Sequence, residues 1–129
     1  MIVAIDPGKD KCGLAVLDNQ AAVLERQVIP TQNLAQILPD LAAKYPITTL
    51  IIGKSASGKN LEKAISRLDL NINLFFVNEK NSTLEARKRY WRENKAKGWH
   101  KIIPASLRIP PVLIDDYAAT ILGERYLQG

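Results

Sequence analysis

The sequence predicts an α/β fold, a mixed five-stranded sheet with helices on both faces. Three apolar segments come first, at residues 2–5, 13–18 and 22–29, and short polar turns separate them as in an antiparallel meander. After them, helices and strands alternate, which is typical of a sheet covered by helices. At 129 residues the chain is expected to form one domain over residues 1–129.

Periodicity and capping signals predict the elements that follow the meander. A helix over residues 34–45 places apolar side chains at i, i+3, i+4 and i+7, and Pro39 should kink or split it. The run from Ser82 to Glu85 matches a capping box, so a helix should begin there and continue to about Asn94. The other predicted elements are strands over 48–53 and 72–78 and helices over 59–68 and 114–127.

Composition excludes several classes of protein. The apolar runs are far shorter than the roughly 20 residues of a membrane-spanning helix, and MIVAIDPGKD lacks the basic leader of a signal peptide. The single cysteine, Cys12, rules out an intramolecular disulfide and suits a reducing compartment. We therefore expect a cytoplasmic protein, in which Cys12 is a small buried side chain rather than a nucleophile.

Positive charge is concentrated late in the chain. Nine lysines and arginines but only two glutamates lie between Lys80 and Arg108, a local excess larger than the net charge of +5. Cations neutralise phosphates and aromatic rings stack on bases, so the segment favours nucleic-acid binding over a merely solvated helix face. The predicted contacts are Arg87, Arg89, Arg92, Lys95, Lys97, Trp99, His100 and Lys101. His100 is the only histidine, so a zinc site or histidine-based triad would lack companions.

The segment GKSASGKN resembles a phosphate-binding P-loop but departs from it. Gly53, Gly58 and Lys59 match, whereas Asn60 lacks the hydroxyl that would bind magnesium, and only one clear strand follows. We interpret residues 53–58 as a flexible polar loop at the carboxyl end of a strand, where open α/β sheets bind their ligands. Lys54 and Lys59 are then candidate contacts to a nucleic-acid backbone.

Acidic residues follow the predicted strands. Asp6 ends the first strand, Glu79 follows the fifth, and Asp115 and Asp116 open the last helix. A carboxylate directly after a buried strand is costly unless it is solvated, paired or bound to metal. Each acid alone is also common at a turn or helix start. Together, and near a basic segment, they predict an all-oxygen site for Mg²⁺ or Mn²⁺ in which two ions would assist phosphodiester hydrolysis.

Three segments, AIDPGKDKCGLAV, VNEKNSTLEAR and IDDYAATILGERYL, resemble the hallmark segments of the YqgF (RuvX) family. That family is related to the RuvC Holliday-junction resolvases, and the resemblance covers nearly the whole chain in the right order. It implies a ribonuclease H-like fold and a metal-dependent nuclease that trims the precursor of small-subunit ribosomal RNA or resolves branched DNA. It also implies that Asp6, Glu79 and Asp115 are the catalytic metal ligands, with Asp116 as second choice.

The resemblance has one departure beside the first aspartate. Asp10 stands where the family usually places a basic residue, and Lys9 and Lys11 flank it as candidate nucleic-acid contacts. On the last helix, Asp115 shares an inward face with Ala119 and Leu122, whereas Asp116 is expected on a more polar stripe with Thr120 and Gly123.

Two further classes of function stay open at this point. A noncatalytic nucleic-acid or ribosome-associated module would bind in a salt-sensitive way without magnesium-dependent turnover. A nucleotide-binding protein of the actin-like kind is weaker, because 129 residues supply only half of its two-lobed site. RNA or DNA, linear or branched substrate, Mg²⁺ or Mn²⁺, and monomer or homodimer are all left open by the sequence.

Overall fold

The computed structural model describes residues 1–94, 104, 110 and 112–129. Every predicted strand and helix is present there, which confirms the predicted α/β fold. In chain order the elements are β1 (Ile2–Asp6), β2 (Lys11–Leu17), β3 (Val23–Pro30), a 3₁₀ turn (Thr31–Asn33), α1 (Leu34–Lys44), β4 (Thr49–Gly53), α2 (Ala56–Ser66), β5 (Asn73–Val77), α3 (Ser82–Glu93) and α4 (Asp115–Gln128). None of the helices in these residues is long and apolar enough to cross a membrane.

The strands form one five-stranded mixed sheet in the order β3-β2-β1-β4-β5. β1, β2 and β3 pair antiparallel, as the meander predicts. β1, β4 and β5 run parallel to one another, so their carboxyl ends meet at one edge of the sheet. Ligands of open α/β sheets bind at such an edge, and the candidate acids follow these strands.

The core lies on both faces of the sheet because β1 is buried on both. Val3 and Ile5 face α1 and α2, in a cluster that includes Leu38 and Leu61. Ala4 faces α4 on the opposite side. The continuous apolar run in β1 therefore has the burial that the sequence predicts, and each large side chain removed from water contributes about 1.5–3 kcal/mol.

The connection between β4 and α2 differs from the predicted flexible loop. α2 begins at Ala56, three residues earlier than predicted, so only Lys54 and Ser55 separate it from the strand. Ser55 is the N-cap, and its hydroxyl accepts a hydrogen bond from the backbone N–H of Gly58 at 3.0 Å. The expectation of a loop over residues 53–58 was wrong because the Ser55 cap lets the helix begin directly after it.

Two other local predictions need correction. The capping box was wrong, because Ser82 is the first residue of α3 rather than its cap; Asn81 precedes it in the left-handed conformation, and the carbonyl of Asn81 accepts the N–H of Glu85. Of the two effects predicted for Pro39, a kink or a split, the split does not occur, because Pro39 lies inside a continuous α1. Buried leucines before and after the proline, Leu34, Leu38 and Leu41, pack the helix against the sheet on both sides of that position.

Gly58 permits the close packing of α2 against the end of β4. A Cβ atom at this position would overlap the carbonyl oxygen of Gly53 and press on the Ile52 side chain at 3.1 Å. We expect Gly58→Ala to lower the free energy of unfolding by about 1–3 kcal/mol, because the backbone must shift to admit the methyl group. Urea unfolding measures this change.

Asn60→Ala is the matched control for Gly58→Ala. Asn60 lies on the exposed side of the same helix, so alanine should raise stability by a few tenths of a kcal/mol, in line with helix propensity. Equal stability of wild type and Gly58→Ala would contradict the packing account.

Candidate functional site

Asp6 is the electrostatic centre of the candidate site. It is the last residue of β1, and its side chain is partly buried. Burial, with added repulsion from the charges of Glu79 and Asp115, raises the pKa of Asp6 from 3.8 to about 7. Because Asp6 senses both other carboxylates, the structure brings these three sequence-predicted acids into one neighbourhood.

Gly13 allows Asp115 to approach Asp6. Gly13 is the direct partner of Asp6 in the β1–β2 ladder, and a Cβ atom there would overlap the backbone carbonyl of Asp115. The first turn of α4 therefore packs onto β2 beside the end of β1. Asp6 and Asp115 line a shared cleft of about 390 Å³, together with the loop over residues 7–11.

Gly53 has the corresponding role for Glu79. A Cβ atom on Gly53 would overlap the carboxylate of Glu79, which lies over the end of β4. The Oε1 atom of Glu79 is buried and accepts no hydrogen bond from the described residues, and burial raises the pKa of this carboxyl group. An unsatisfied buried acceptor costs about 1–3 kcal/mol or more, so this oxygen is available to a ligand.

Arg125 holds the backbone on either side of Glu79. Its guanidinium donates to the carbonyl of Asn78 and to that of Lys80, each at 2.7 Å. It also pairs with Glu85 at 3.1 Å. Sequence analysis did not identify this contact, because Arg125 lies 47 residues from Asn78 in the chain and no local pattern links the two.

Asp116 faces away from the other acids, toward β3. Its Oδ2 lies 3.4 Å from the Nε of Arg26, and Arg26 also covers the Tyr117 ring at 3.8 Å. The polar stripe expected beside Asp116 is absent, since Thr120 is fully buried and Gly123 packs against the core. Asp116 is therefore paired with Arg26, while burial raises the pKa of its carboxyl group.

The three acids have donors that suit a hard divalent cation. Among the residues that the structure describes, no group of three or more His, Cys, Asp or Glu side chains is arranged to enclose an ion. Glu79 and Asp115 each lie close enough to Asp6 to repel its charge, but the three acids do not converge on one point. The oxygen-only chemistry and the unpaired Oε1 of Glu79 fit Mg²⁺ or Mn²⁺, with some turning of the side chains required.

Within the described residues, the predicted nucleic-acid contacts fall into three groups. Lys9 and Lys11 line the cleft with Asp6, and Lys54 and Lys59 are exposed beyond β4. In α3, Arg89 is held within the protein by Glu124 at 2.6 Å, whereas its neighbours Arg87 and Arg92 have no such ion pair in the described part of the chain. The remaining predictions, Lys95, Lys97, Trp99, His100 and Lys101, lie outside the described residues.

Cys12 has the surroundings of a packing residue. Its side chain is fully buried, and burial raises the pKa of its thiol to about 11. A thiol that stays protonated near neutral pH is a poor nucleophile, and the burial expected from the sequence is confirmed.

Known proteins resemble the chain over nearly its full length. It is 30% identical over 136 residues to a Helicobacter pylori (strain HPAG1) protein named "Putative pre-16S rRNA nuclease", and the alignment covers 99% of this chain and 96% of that protein. A Bacteroides thetaiotaomicron protein of the same name is 26% identical over 148 residues, with the same coverage of 99% and 96%. No protein-family model matches the sequence.

Two solved structures share the fold. Thermus thermophilus RuvC in complex with a Holliday junction has a TM-score of 0.58 and 12% identity, covering 98% of this chain and 94% of that one. Another structure of Thermus thermophilus RuvC has a TM-score of 0.50 and 13% identity, with coverage of 99% and 96%. The architecture confirms the ribonuclease H-like fold implied by the sequence motifs.

The raised pKa of Asp6 makes stability depend on pH. In metal-free buffer the folded protein binds a proton at Asp6 more tightly than the unfolded chain, so stability should fall as pH rises from about 4 to 7 and level off above. Asp6→Asn removes this penalty. At pH 8 we expect the variant to exceed wild type by up to about 4 kcal/mol in urea unfolding, with the difference vanishing near pH 4.

Asp40→Asn provides the comparison for Asp6→Asn, because Asp40 is an exposed aspartate on α1. The free energy of unfolding of Asp40→Asn should have the same pH dependence as that of wild type. If the difference in stability between Asp6→Asn and wild type were the same at pH 4 and pH 8, the pKa of Asp6 would not be raised in the folded protein.

Proposed function

The chain belongs to the YqgF (RuvX) family, and on that premise we propose that it is a metal-dependent endonuclease. It would hydrolyse phosphodiester bonds in structured nucleic acid, either a ribosomal RNA precursor or branched DNA. The observation that carries the proposal is the buried, unpaired Oε1 of Glu79 beside the mutually repelling Asp6 and Asp115. The names of the relatives support an RNA substrate, and the Holliday junction bound by a RuvC of the same fold supports a branched one.

Asp6, Glu79 and Asp115 would hold Mg²⁺ or Mn²⁺, and two bound ions would activate water and neutralise charge on the leaving oxygen. Each ligand must be ionised to bind a cation. Because the pKa of Asp6 is about 7, binding requires the loss of its proton over much of the neutral range. Cation affinity should therefore increase as pH rises through 7.

Lys9 and Lys11 would hold the substrate backbone at the mouth of the cleft. Both lysines are exposed and line the cleft that contains Asp6 and Asp115. Ammonium groups attract phosphates without reading sequence, so they would deliver a scissile phosphate while leaving base choice to other contacts. Asp10 lies between them and limits the positive charge of the loop.

One observation favours the alternative of a noncatalytic nucleic-acid or ribosome-associated module. No cluster of acids in the described ranges is already arranged around a single cation position. A protein that kept the fold and the basic surface but lost turnover would still bind nucleic acid through Lys9, Lys11 and their neighbours. Its binding would weaken with salt and would not require a divalent cation.

Substitution of the proposed ligands tests the nuclease. Asp6→Asn, Glu79→Gln and Asp115→Asn should each lower Mn²⁺-dependent cleavage by about 100-fold or more, because loss of a direct ligand exceeds the 10–100-fold effect typical of its supporting residues. Cleavage is measured on labelled single-stranded RNA, duplex DNA and a four-way junction, with Mg²⁺, Mn²⁺ or EDTA. Nucleic-acid binding by Asp6→Asn should be unchanged or tighter.

Asp116→Asn discriminates between the two aspartates of α4. Because Asp116 pairs with Arg26, this variant should keep cleavage within about tenfold of wild type, a smaller loss than that of a supporting residue at a metal site. Asp40→Asn, remote from the site, serves as the control. If Asp116→Asn abolished cleavage and Asp115→Asn kept full activity, Asp116 and not Asp115 would be the metal ligand. Salt-sensitive binding without cleavage of any substrate would favour the noncatalytic module.

A further inference from the structure

A basic groove with an aromatic wall lies between α2 and β5. It has a volume of about 460 Å³ and is lined by Lys54, Lys59, Glu62, Lys63 and Phe76. We call it the α2–β5 groove. Lys54 and Lys59 were candidate backbone contacts from the sequence, whereas Lys63 and Phe76 are brought to them only by the fold.

Phe76 forms the apolar wall of the α2–β5 groove. β5 is one of the two edge strands of the sheet, and its side chains alternate between the two faces. Phe76 pairs in register with Ile52 on the α2 face and is 37% exposed. Phe75 points to the α4 face, where its ring lies 5.6 Å from that of Tyr126. The two phenylalanines are therefore neighbours in sequence but belong to opposite surfaces.

The lysine side chains of the groove form no ion pairs with the residues that the structure describes. Lys54, Lys59 and Lys63 are exposed, and none takes part in an ion pair with the rest of the described chain. Lys59 and Lys63 are four residues apart on α2, where like charges destabilise a helix by about 0.2–0.5 kcal/mol. Glu62 is the single acid in the lining, so the groove keeps an excess of positive charge available to an anionic ligand.

The groove begins where the carboxylate site ends. The backbone N–H of Lys54 donates to the carbonyl of Val77 at 2.8 Å, which ties the start of the groove to the end of β5. The preceding residue, Gly53, contacts the carboxylate of Glu79. A polynucleotide with a phosphate near Glu79 would therefore reach Lys54 with its next nucleotides.

We propose that the α2–β5 groove binds a single-stranded segment of the nucleic acid, with one base stacked on Phe76 and its phosphates on Lys54, Lys59 and Lys63. Stacking on an aromatic side chain requires an open base face, and paired bases within a duplex have both faces covered by their neighbours. The single strand can be RNA or DNA, since both carry phosphates and stackable bases. This inference rests on the proposed function and specifies the form of its substrate.

Fluorescence anisotropy in EDTA tests the groove without any cleavage. Labelled 12-nucleotide RNA and DNA single strands are compared with duplexes of the same sequence. Phe76→Ala should weaken single-strand binding by about 5- to 150-fold, corresponding to about 1–3 kcal/mol per stacked base, and leave duplex binding within about twofold. Phe75→Ala is the matched control on the opposite face and should bind both forms like wild type.

Further variants separate stacking from folding and from charge. Phe76→Leu keeps an apolar side chain on β5 but removes the aromatic ring, so it should reproduce the loss if stacking is the cause. Phe76→Trp should retain binding. Lys63→Gln should lower the slope of log affinity against log salt by about 0.7 for single strands. Thermal unfolding of each variant verifies the fold.

Three outcomes would overturn the inference. They are equal losses for single strands and duplexes in Phe76→Leu, an equal effect of Phe75→Ala, or single-strand binding that none of the Phe76 variants changes. Because all binding is measured in EDTA, absence of nuclease activity would contradict the proposed function without altering this result. Comparison of the RNA and DNA single strands shows which of the two nucleic acids the groove binds more tightly.

Discussion

The site depends on the close approach of backbone elements at two glycines. Gly13 lets the first turn of α4 lie on β2, opposite Asp6, and Gly53 leaves room for the carboxylate of Glu79 over the end of β4. A Cβ atom on Gly13 would overlap the backbone carbonyl of Asp115, and a Cβ atom on Gly53 would overlap the carboxylate of Glu79. Three carboxylates from distant parts of the chain are therefore gathered at one sheet edge by the absence of two Cβ atoms.

Gathering the acids has an electrostatic cost. Burial first, and then repulsion from Glu79 and Asp115, raises the pKa of Asp6, and two arginines contact the segments beside these acids. Arg125 fixes the backbone around Glu79 through two carbonyls, and Arg26 pairs with Asp116, which leaves Asp115 as the acid of that helix turned to the cleft. Neither arginine forms an ion pair with Asp6, Glu79 or Asp115 among the described residues, so the charge of these acids would be available for the proposed cation.

The sequence was informative where the signal is local. Periodicity and β-branched runs located every strand, and the acids at strand ends indicated the sheet edge where they meet. It failed where a contact joins distant residues, as between Arg125 and Asn78 or Arg26 and Asp116, because no spacing rule relates them. The start of α2 was different, since Ser55 is a recognisable N-cap and the P-loop likeness of the segment obscured it.

The distribution of cations also changes between sequence and fold. The sequence placed the nucleic-acid surface mainly on the basic stretch after Lys80, but part of that charge is internal, as Arg89 is bound to Glu124. Several lysines without ion pairs in the described chain lie instead near the carboxyl ends of the strands. Lys9 and Lys11 stand beside Asp6 near β2 and β1, and Lys54 stands beside Glu79 near β4 and β5.

The order of lysines and carboxylates along the sheet determines the path of a bound polynucleotide. Because the sheet runs β2-β1-β4-β5, a polynucleotide held by lysines at both ends of that row must cross the carboxylates between them. Phosphates are repelled by bare carboxylates and attracted once a divalent cation is bound. If the proposals above hold, the three acids would make productive binding of the strand depend on the metal, while the flanking lysines and Phe76 would keep the strand on the protein in either state.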